Sequence, residues 1–277
     1  MSNMVAIEKA RGAVWRPLRE LPRRLNLVGA LARRELATRY RGSSLGFLWA
    51  VIAPVVMIAI YTFIFAGIFG ARFGREGSNW DYALYVFCGL LPWAAFAESL
   101  QASSTTVITH ANLVKRVVFP LEVLPVSHAL AGVGNQLFGT LALLAATLVL
   151  RGRVSITLLW LPVLLFLQLI LTFGLSWLVA SLGVFLRDTR EAVSLALTAW
   201  MFLTPLLYPE GIVPERYRKL IEYNPWTPLV RSYRRVLLEN SNPDWRGLLF
   251  FFFFALALFV VGYWWFARTR RNFADVI

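Results

Sequence analysis

Few side chains in this 277-residue sequence have the type and spacing for covalent chemistry. His110 and His128 stand too far apart for an H-E-x-x-H metal site, and no G-x-x-x-x-G-K-[ST] phosphate loop occurs. The one cysteine, Cys88, lies in an apolar run; it can form no disulfide within the chain and reads as a small buried hydrophobe. No cluster of carboxylates falls within one apolar span. Catalytic residues and metal ligands are therefore not expected. The polar group that stands out is Glu98, an ionisable side chain in a long apolar segment, followed by Gln101-Ala102-Ser103-Ser104-Thr105-Thr106. A carboxylate at such a place serves a transport path or helix packing, and the sequence leaves both open. A proton relay needs Asp, Glu or His across several spans, which Gln136, Gln168 and His128 do not supply.

The second chemical resource is aromatic, at 15% of residues. Trp49 and Tyr61, Trp93 and Phe96, and Trp200 and Phe202 fall in apolar spans. Most such rings face lipid or the membrane interface. The sharper reading is a sugar-lining surface, because flat rings pack on the C–H faces of sugars and let a polymer slide without a deep binding well.

The elements that must position these residues are membrane helices. Hydrophobic residues make up 58% of the chain and charged ones 16%, against about 25% charged in soluble domains, and the mean hydropathy is +0.61. The net charge of +13 comes largely from arginines beside apolar runs. Positive-inside placement and anionic lipid account for it, and no nucleic-acid partner is expected. The first apolar span begins near Leu45, too far in and too long for a signal-peptide core, so insertion is expected through the first transmembrane helix.

In chain order, residues 1–25 read as a basic cytoplasmic lead-in broken by Pro17 and Pro22. Residues 26–42 read as an amphipathic interface helix with Asn26 as N-cap. Val28, Leu31, Ala32, Leu36 and Tyr40 share its apolar face, and Arg33, Arg34, Thr38 and Arg41 lie away from it. The junction at Arg41-Gly42-Ser43-Ser44 is abrupt. A transmembrane region of six spans is expected over 45–267: Leu45–Ala71, Tyr82–Thr106, Val123–Leu150, Ile156–Leu186, Ala192–Tyr208 and Gly247–Ala267. A loop Arg72–Asp81 follows the first, and a connector 110–122 joins the second and third. The fifth span is near the lower length limit. Residues 209–246, rich in Tyr and Trp with Pro214, Pro225 and Pro228 as helix starts, read as two external helices dipping into the outer leaflet. A cytoplasmic tail, 268–277, follows. The Lys and Arg count places both termini in the cytoplasm.

Four stretches resemble the permease subunits of type-2 ABC exporters of lipid-linked polysaccharides. They are RRELATRYRGSSLGFLWAVIAPVVMIAIYTFIF, LLPWAAFAESLQASSTTVITHANLVKRVVFPLEVLPVSH, FLRDTREAVSLALTAWMFLTPLLYP and NPWTPLVRSYRRVLLEN. They occur in the family's order and span nearly the whole chain. The resemblance implies an all-α, polytopic membrane protein with six transmembrane helices, an N-terminal interface helix and external re-entrant helices before the last span. It implies a homodimer in the bacterial inner membrane, in contact with membrane lipids. Two copies of a separate cytoplasmic ABC ATPase would bind ATP and Mg2+, leaving no cofactor in this chain. It implies ATPase contacts at Arg33, Arg34, Glu35, Arg39, Tyr40 and Arg41, and at Asn112, Leu113, Lys115 and Arg116. It also implies a path between subunits formed by the first and fifth spans, at Trp49, Tyr61, Trp200, Phe202 and Tyr208, to which Trp93, Phe96 and Glu98 are added as candidates. O-antigen is the expected cargo, with teichoic acid and capsule as alternatives. Rival readings are a type-2 permease for a small molecule, drug or lipid, and an ion-coupled carrier.

Overall fold

Long apolar runs in a lipid solvent must satisfy their backbone internally, which leaves helices or closed barrels. Among the described residues every regular element is helical. The computed structural model describes residues 20–64, 79–116, 119–152 and 155–277, and only the backbone of Asn79, Trp80, Val114 and Arg116. Most of the 1–25 lead-in, the end of the first crossing and most of the Arg72–Asp81 loop lie outside the described residues.

A 3-10 turn, Leu21–Arg24, leads into α1, Leu25–Tyr40. Arg24, not Asn26, stands at the N-cap. Pro22 starts the preceding turn, so the helix begins before Asn26 and places it inside the first turn. Gly42 and Gly46 then adopt φ of +87° and +51°. Only glycine takes such angles freely, and they make the sharp corner into α2, Trp49–Tyr61.

α3, Asn79–Thr109, takes in Asp81, which the sequence placed in a loop. The short α4, Ala111–Arg116, lies in the connector. α5, Val123–Arg151, stops at Gly152, whose φ of +68° forms the left-handed C-cap. A 3-10 turn, Ile156–Trp160, precedes α6, Leu161–Phe185. α7 is Thr189–Leu203, α8 Glu215–Glu222, α9 Trp226–Leu237, α10 Trp245–Thr269 and α11 Phe273–Val276.

Among the described residues five stretches are long and apolar enough to cross a membrane: Gly46–Ile64, Asp81–Thr109, Val123–Arg151, Ile156–Phe185 and Trp245–Val276. This is a multi-pass membrane protein. The fifth expected crossing, Ala192–Tyr208, is the exception. α7 has 15 residues, about 22 Å of helix against a hydrocarbon core of about 30 Å. It ends at Leu203 because Thr204, held extended at ψ 136°, precedes Pro205, and the residue before a proline is driven out of the helical region.

α3 is the hub. Its apolar window is 72% buried, whereas the windows of the other spans are 17–39% buried. It packs against α2, α5, α6, α7 and α9, while α6 pairs with α10 and α1 lies on α5. Lipid offers no hydrophobic drive between helices, so close contact depends on small residues. Gly183 of α6 lies against the Ser104 carbonyl of α3, and Gly262 of α10 against the Gly174 carbonyl of α6; a Cβ at either would overlap backbone.

Buried amides join four helices in the centre. Gln168 Nε2 donates to Gln136 Oε1 at 2.8 Å and to the Pro92 carbonyl at 3.2 Å. The Tyr233 hydroxyl donates to Gln168 Oε1 at 2.7 Å and accepts from Gln136 Nε2 at 3.1 Å. Both glutamines thus find partners inside the protein, as a low dielectric demands.

Two helices form in the 209–246 segment, α8 and α9, with Pro214 and Pro225 immediately before them. α8 is largely exposed, but α9 is buried against α3, α6 and α10. Arg234 anchors it. This guanidinium is 2% exposed, sits 3.4 Å from the Tyr85 ring centroid, and donates to the Tyr85 hydroxyl at 2.7 Å and the Leu206 carbonyl at 2.9 Å.

Candidate functional site

The segments before α1 and after α10 meet at one end of the bundle. Glu122, 1% exposed at the start of α5, accepts from Arg24 before α1 at 3.0 Å and from Arg270 after α10 at 3.1 Å. The Trp177 indole donates to the Glu122 carbonyl at 3.0 Å. Val28, Val123, Val126, Trp177, Tyr263, Phe266 and Phe273 form the apolar core beneath this clamp.

α1 is held by its inner face. Val28 is buried and Leu31, Ala32, Leu36 and Tyr40 are half-buried, whereas Arg33, Arg34, Thr38 and Arg41 are exposed. The helical periodicity of the sequence predicts this division. It does not predict the polar seam beside it. Arg39 Nη1 lies 2.5 Å from Glu98 Oε2 of α3. The Tyr40 hydroxyl donates to Asn135 Oδ1 of α5 at 2.5 Å, and Glu35 lies 3.8 Å from His128 Nδ1 of α5. His128 Nε2 pairs with Thr106 Oγ1 at 2.9 Å. Burial raises the Tyr40 hydroxyl above the ordinary tyrosine range, which keeps it a neutral donor at physiological pH.

The six residues expected to contact an ATPase through α1 therefore separate into two sets. Glu35, Arg39 and Tyr40 turn inward and bind the bundle; Arg33, Arg34 and Arg41 face outward. In α4, Asn112 and Lys115 are exposed and Leu113 is half-buried. The Arg116 side chain lies outside the described residues. Glu98, which the sequence left between path and packing, is the partner of Arg39.

The aromatic candidates separate as well. Trp93 and Phe96 are 4% and 0% exposed. They interlock with Trp200 and Trp226 at ring-centroid distances of 4.8–5.8 Å. Their rings are covered within the subunit, so a sugar has no access to them in this conformation. Trp49 and Phe202 are 42% and 57% exposed. Tyr61, Trp200 and Tyr208 are half-buried, and the Tyr208 hydroxyl donates to the Phe202 carbonyl at 2.9 Å. Trp200 Nε1 donates to Asn224 Oδ1 at 3.0 Å, tying α7 to the turn before α9. α7 also leaves Ser194, Leu195 and Thr198 exposed.

A groove of about 250 Å³ runs between α2, α3 and α5, with Trp49, Pro54 and Leu91 in its apolar wall and Tyr40, Asn135 and Gln136 as its polar part. Among the described residues no group of three His, Cys, Asp or Glu side chains could hold a metal ion.

Sequence reasoning did not identify Glu122, Arg24, Arg270 or Asn135 as functional. Glu122 carried one signal: it is a lone carboxylate where a connector enters an apolar run, in a chain with surplus arginine.

Comparison with known proteins agrees with this architecture. The profile of the ABC-2 type transporter family matches residues 26–238. The chain is 30% identical to an O-antigen export system permease protein RfbA of Klebsiella pneumoniae, over 91% of this chain and 95% of that protein. It is also 30% identical to RfbA of Myxococcus xanthus, over 95% and 99% of the two chains. Identity to the polysialic acid transport protein KpsM of Escherichia coli is 24%, over 85% and 90%. A helical multi-pass chain with this match over most of its length is a permease, and it belongs to the ABC-2 type transporter family.

Proposed function

We propose that this chain is the transmembrane subunit of an ATP-driven exporter that moves a lipid-linked polysaccharide across the bacterial inner membrane. O-antigen is the favoured cargo. Two copies of the chain form the path, and two copies of a separate cytoplasmic ATPase bind ATP and Mg2+ and supply the force. Both termini face the cytoplasm. The permeases for O-antigen and polysialic acid to which the chain is similar support a glycan as cargo.

The observation that carries this reading is the two-sided character of α1. One face is fixed to α3 and α5 through Arg39, Tyr40 and Glu35. The other presents Arg33, Arg34 and Arg41 to solvent. A helix gripped on one side and free on the other passes a push on its free side to the spans. A sequence without a phosphate loop needs that push from another protein. ATP binding closes the ATPase dimer, which moves α1 and the α4 connector together.

The exposed rings of Trp49 and Phe202, with Tyr61, Trp200 and Tyr208 beside them, are the proposed wall of the path. The exposed Ser194 hydroxyl on α7 suits a wetted face between two copies better than a lipid-facing one, while the Thr198 hydroxyl donates to the Ser194 carbonyl at 2.9 Å. Trp93 and Phe96 brace that wall from behind. The buried Gln136–Gln168 pair consists of amides, which do not titrate, so it offers no proton route for an ion-coupled mechanism.

The test is co-purification of the tagged chain with a P-loop ATPase from its native host, followed by ATPase assays in lipid. The reading expects a stable complex whose turnover rises when isoprenoid-pyrophosphate-linked oligosaccharide is added. A permease that binds no ATPase, or a complex indifferent to the glycan lipid, contradicts it.

A further inference from the structure

The clamp at Glu122 opens into a cavity of about 360 Å³, and the mechanism above makes no use of it. Arg24, Arg270 and Arg271 line it together with the single carboxylate of Glu122; Phe119 and Leu121 supply apolar wall. Three guanidiniums face the Glu122 carboxylate, and Glu20 pairs with Arg24 from beside the cavity at 2.8 Å, which leaves one positive charge in excess. Glu122 is saturated by Arg24 and Arg270. Arg271, exposed, has no ion-pair partner among the described residues. Planar forks of N–H donors around a hollow suit the oxygens of a phosphate.

A second observation sets the depth of the hollow. Trp264 and Trp265 are 42% and 37% exposed on the last turns of α10, and Arg268 lies 5.7 Å from the Trp264 ring centroid. Exposed tryptophans followed within two turns by arginines mark the level at which hydrocarbon gives way to headgroups. The cavity, one turn further on, therefore lies at headgroup depth, with apolar wall for the start of a lipid's chains.

We propose that this cavity is a binding site for the phosphate headgroup of an anionic phospholipid. Arg271 is its free anchor, and Arg24 and Arg270 are presented to it by Glu122. A bound headgroup bridges the segment before α1, the start of α5 and the tail after α10, and so reinforces the clamp. The site requires only that the chain sit in a membrane, and it is independent of the cargo.

The test uses the full chain in detergent and follows thermal unfolding with phosphatidylglycerol, phosphatidylcholine or inorganic phosphate added. Arg271→Ala removes the anchor without disturbing the clamp. Arg268→Ala removes the same charge one turn away, outside the cavity, and serves as control. The proposal expects phosphatidylglycerol to raise the Tm of the wild type while the other two additives do little. It expects Arg271→Ala to weaken the apparent phosphatidylglycerol affinity about fivefold to tenfold, with Tm unchanged when lipid is absent and with Arg268→Ala behaving as wild type. Equal weakening by both variants would show diffuse surface charge, and equal protection by phosphatidylcholine would show no headgroup selection. Equal protection by inorganic phosphate would show a site for the free anion. Each of these three results overturns the proposal.

Discussion

Arg39 on the surface helix and Glu98 in the central span meet at 2.5 Å. This joins α1 to the helix that touches most of the others. The pair is partly exposed, at 23% and 42% of the two side chains, and solvent-accessible pairs contribute only about 0.2–1 kcal/mol. Its role is therefore to fix position more than to stabilise. Reversing either charge alone sets like charges against each other. Arg39→Glu and Glu98→Arg should each lower Tm by a few degrees and reduce glycan-stimulated ATPase turnover. The double exchange should recover most of both losses. Failure of the double variant to recover coupling would remove the pair from the path of force.

Glu122→Gln should act at a distance from that seam. It leaves Arg270 without a counter-charge and Arg24 with Glu20 alone. Loss of one partner of a buried charged network costs about 2 kcal/mol where the remaining groups can reach water. Hydrogen exchange should rise in the segments before α1 and after α10 and stay unchanged in α9.

The central amide network makes a sharper stability prediction. Gln168→Leu takes the donor from Gln136 Oε1 and the acceptor from the Tyr233 O–H, both buried, and leaves only the bond from Gln136 Nε2 to the Tyr233 hydroxyl. An unsatisfied buried group costs about 1–3 kcal/mol in water-soluble proteins, and measured side-chain hydrogen bonds in membranes average about 0.6 kcal/mol. A loss near 1–2 kcal/mol in a reversible unfolding assay is expected, with ATPase binding intact because the site lies away from α1.

Gly262→Val should be worse than either. Its Cβ would overlap the Gly174 carbonyl, which is backbone and cannot swing away. α6 and α10 must then part. The expected result is loss of the monodisperse peak in size exclusion, whereas Gly29→Ala on α1, with open space around it, should run as wild type.

Much of this architecture is legible in the sequence because it follows from local rules. The buried and exposed faces of α1 follow from a 3.6-residue period. The end of α5 follows from Gly152, and the corner after α1 from Gly42. The early end of α7 is missed by hydropathy: the apolar run continues to Tyr208 and reads as a crossing, although Thr204 before Pro205 stops the helix at Leu203. The pairing of Arg39 with Glu98 and the meeting of Arg24, Glu122 and Arg270 were not legible either. Each joins residues far apart in the chain, and which arginine reaches which carboxylate depends on helix rotation, which periodicity leaves free. The covering of Trp93 and Phe96 escaped for the same reason: α9 arrives from a distant segment and places Trp226 on them.

The central claim is that a second protein's ATP hydrolysis drives this chain to move a lipid-linked glycan. It is tested most directly in proteoliposomes that hold the chain with its co-purified ATPase, ATP and Mg2+ being supplied outside. A fluorescent isoprenoid-pyrophosphate-linked oligosaccharide is placed in the outer leaflet. The account predicts that label becomes protected from an external quencher only with hydrolysable ATP, that a proton ionophore leaves protection unchanged, and that Arg33→Glu/Arg34→Glu abolishes it while Tm stays within a few degrees of wild type. Protection without ATP, or protection that collapses with the ionophore at constant ATP, would contradict it.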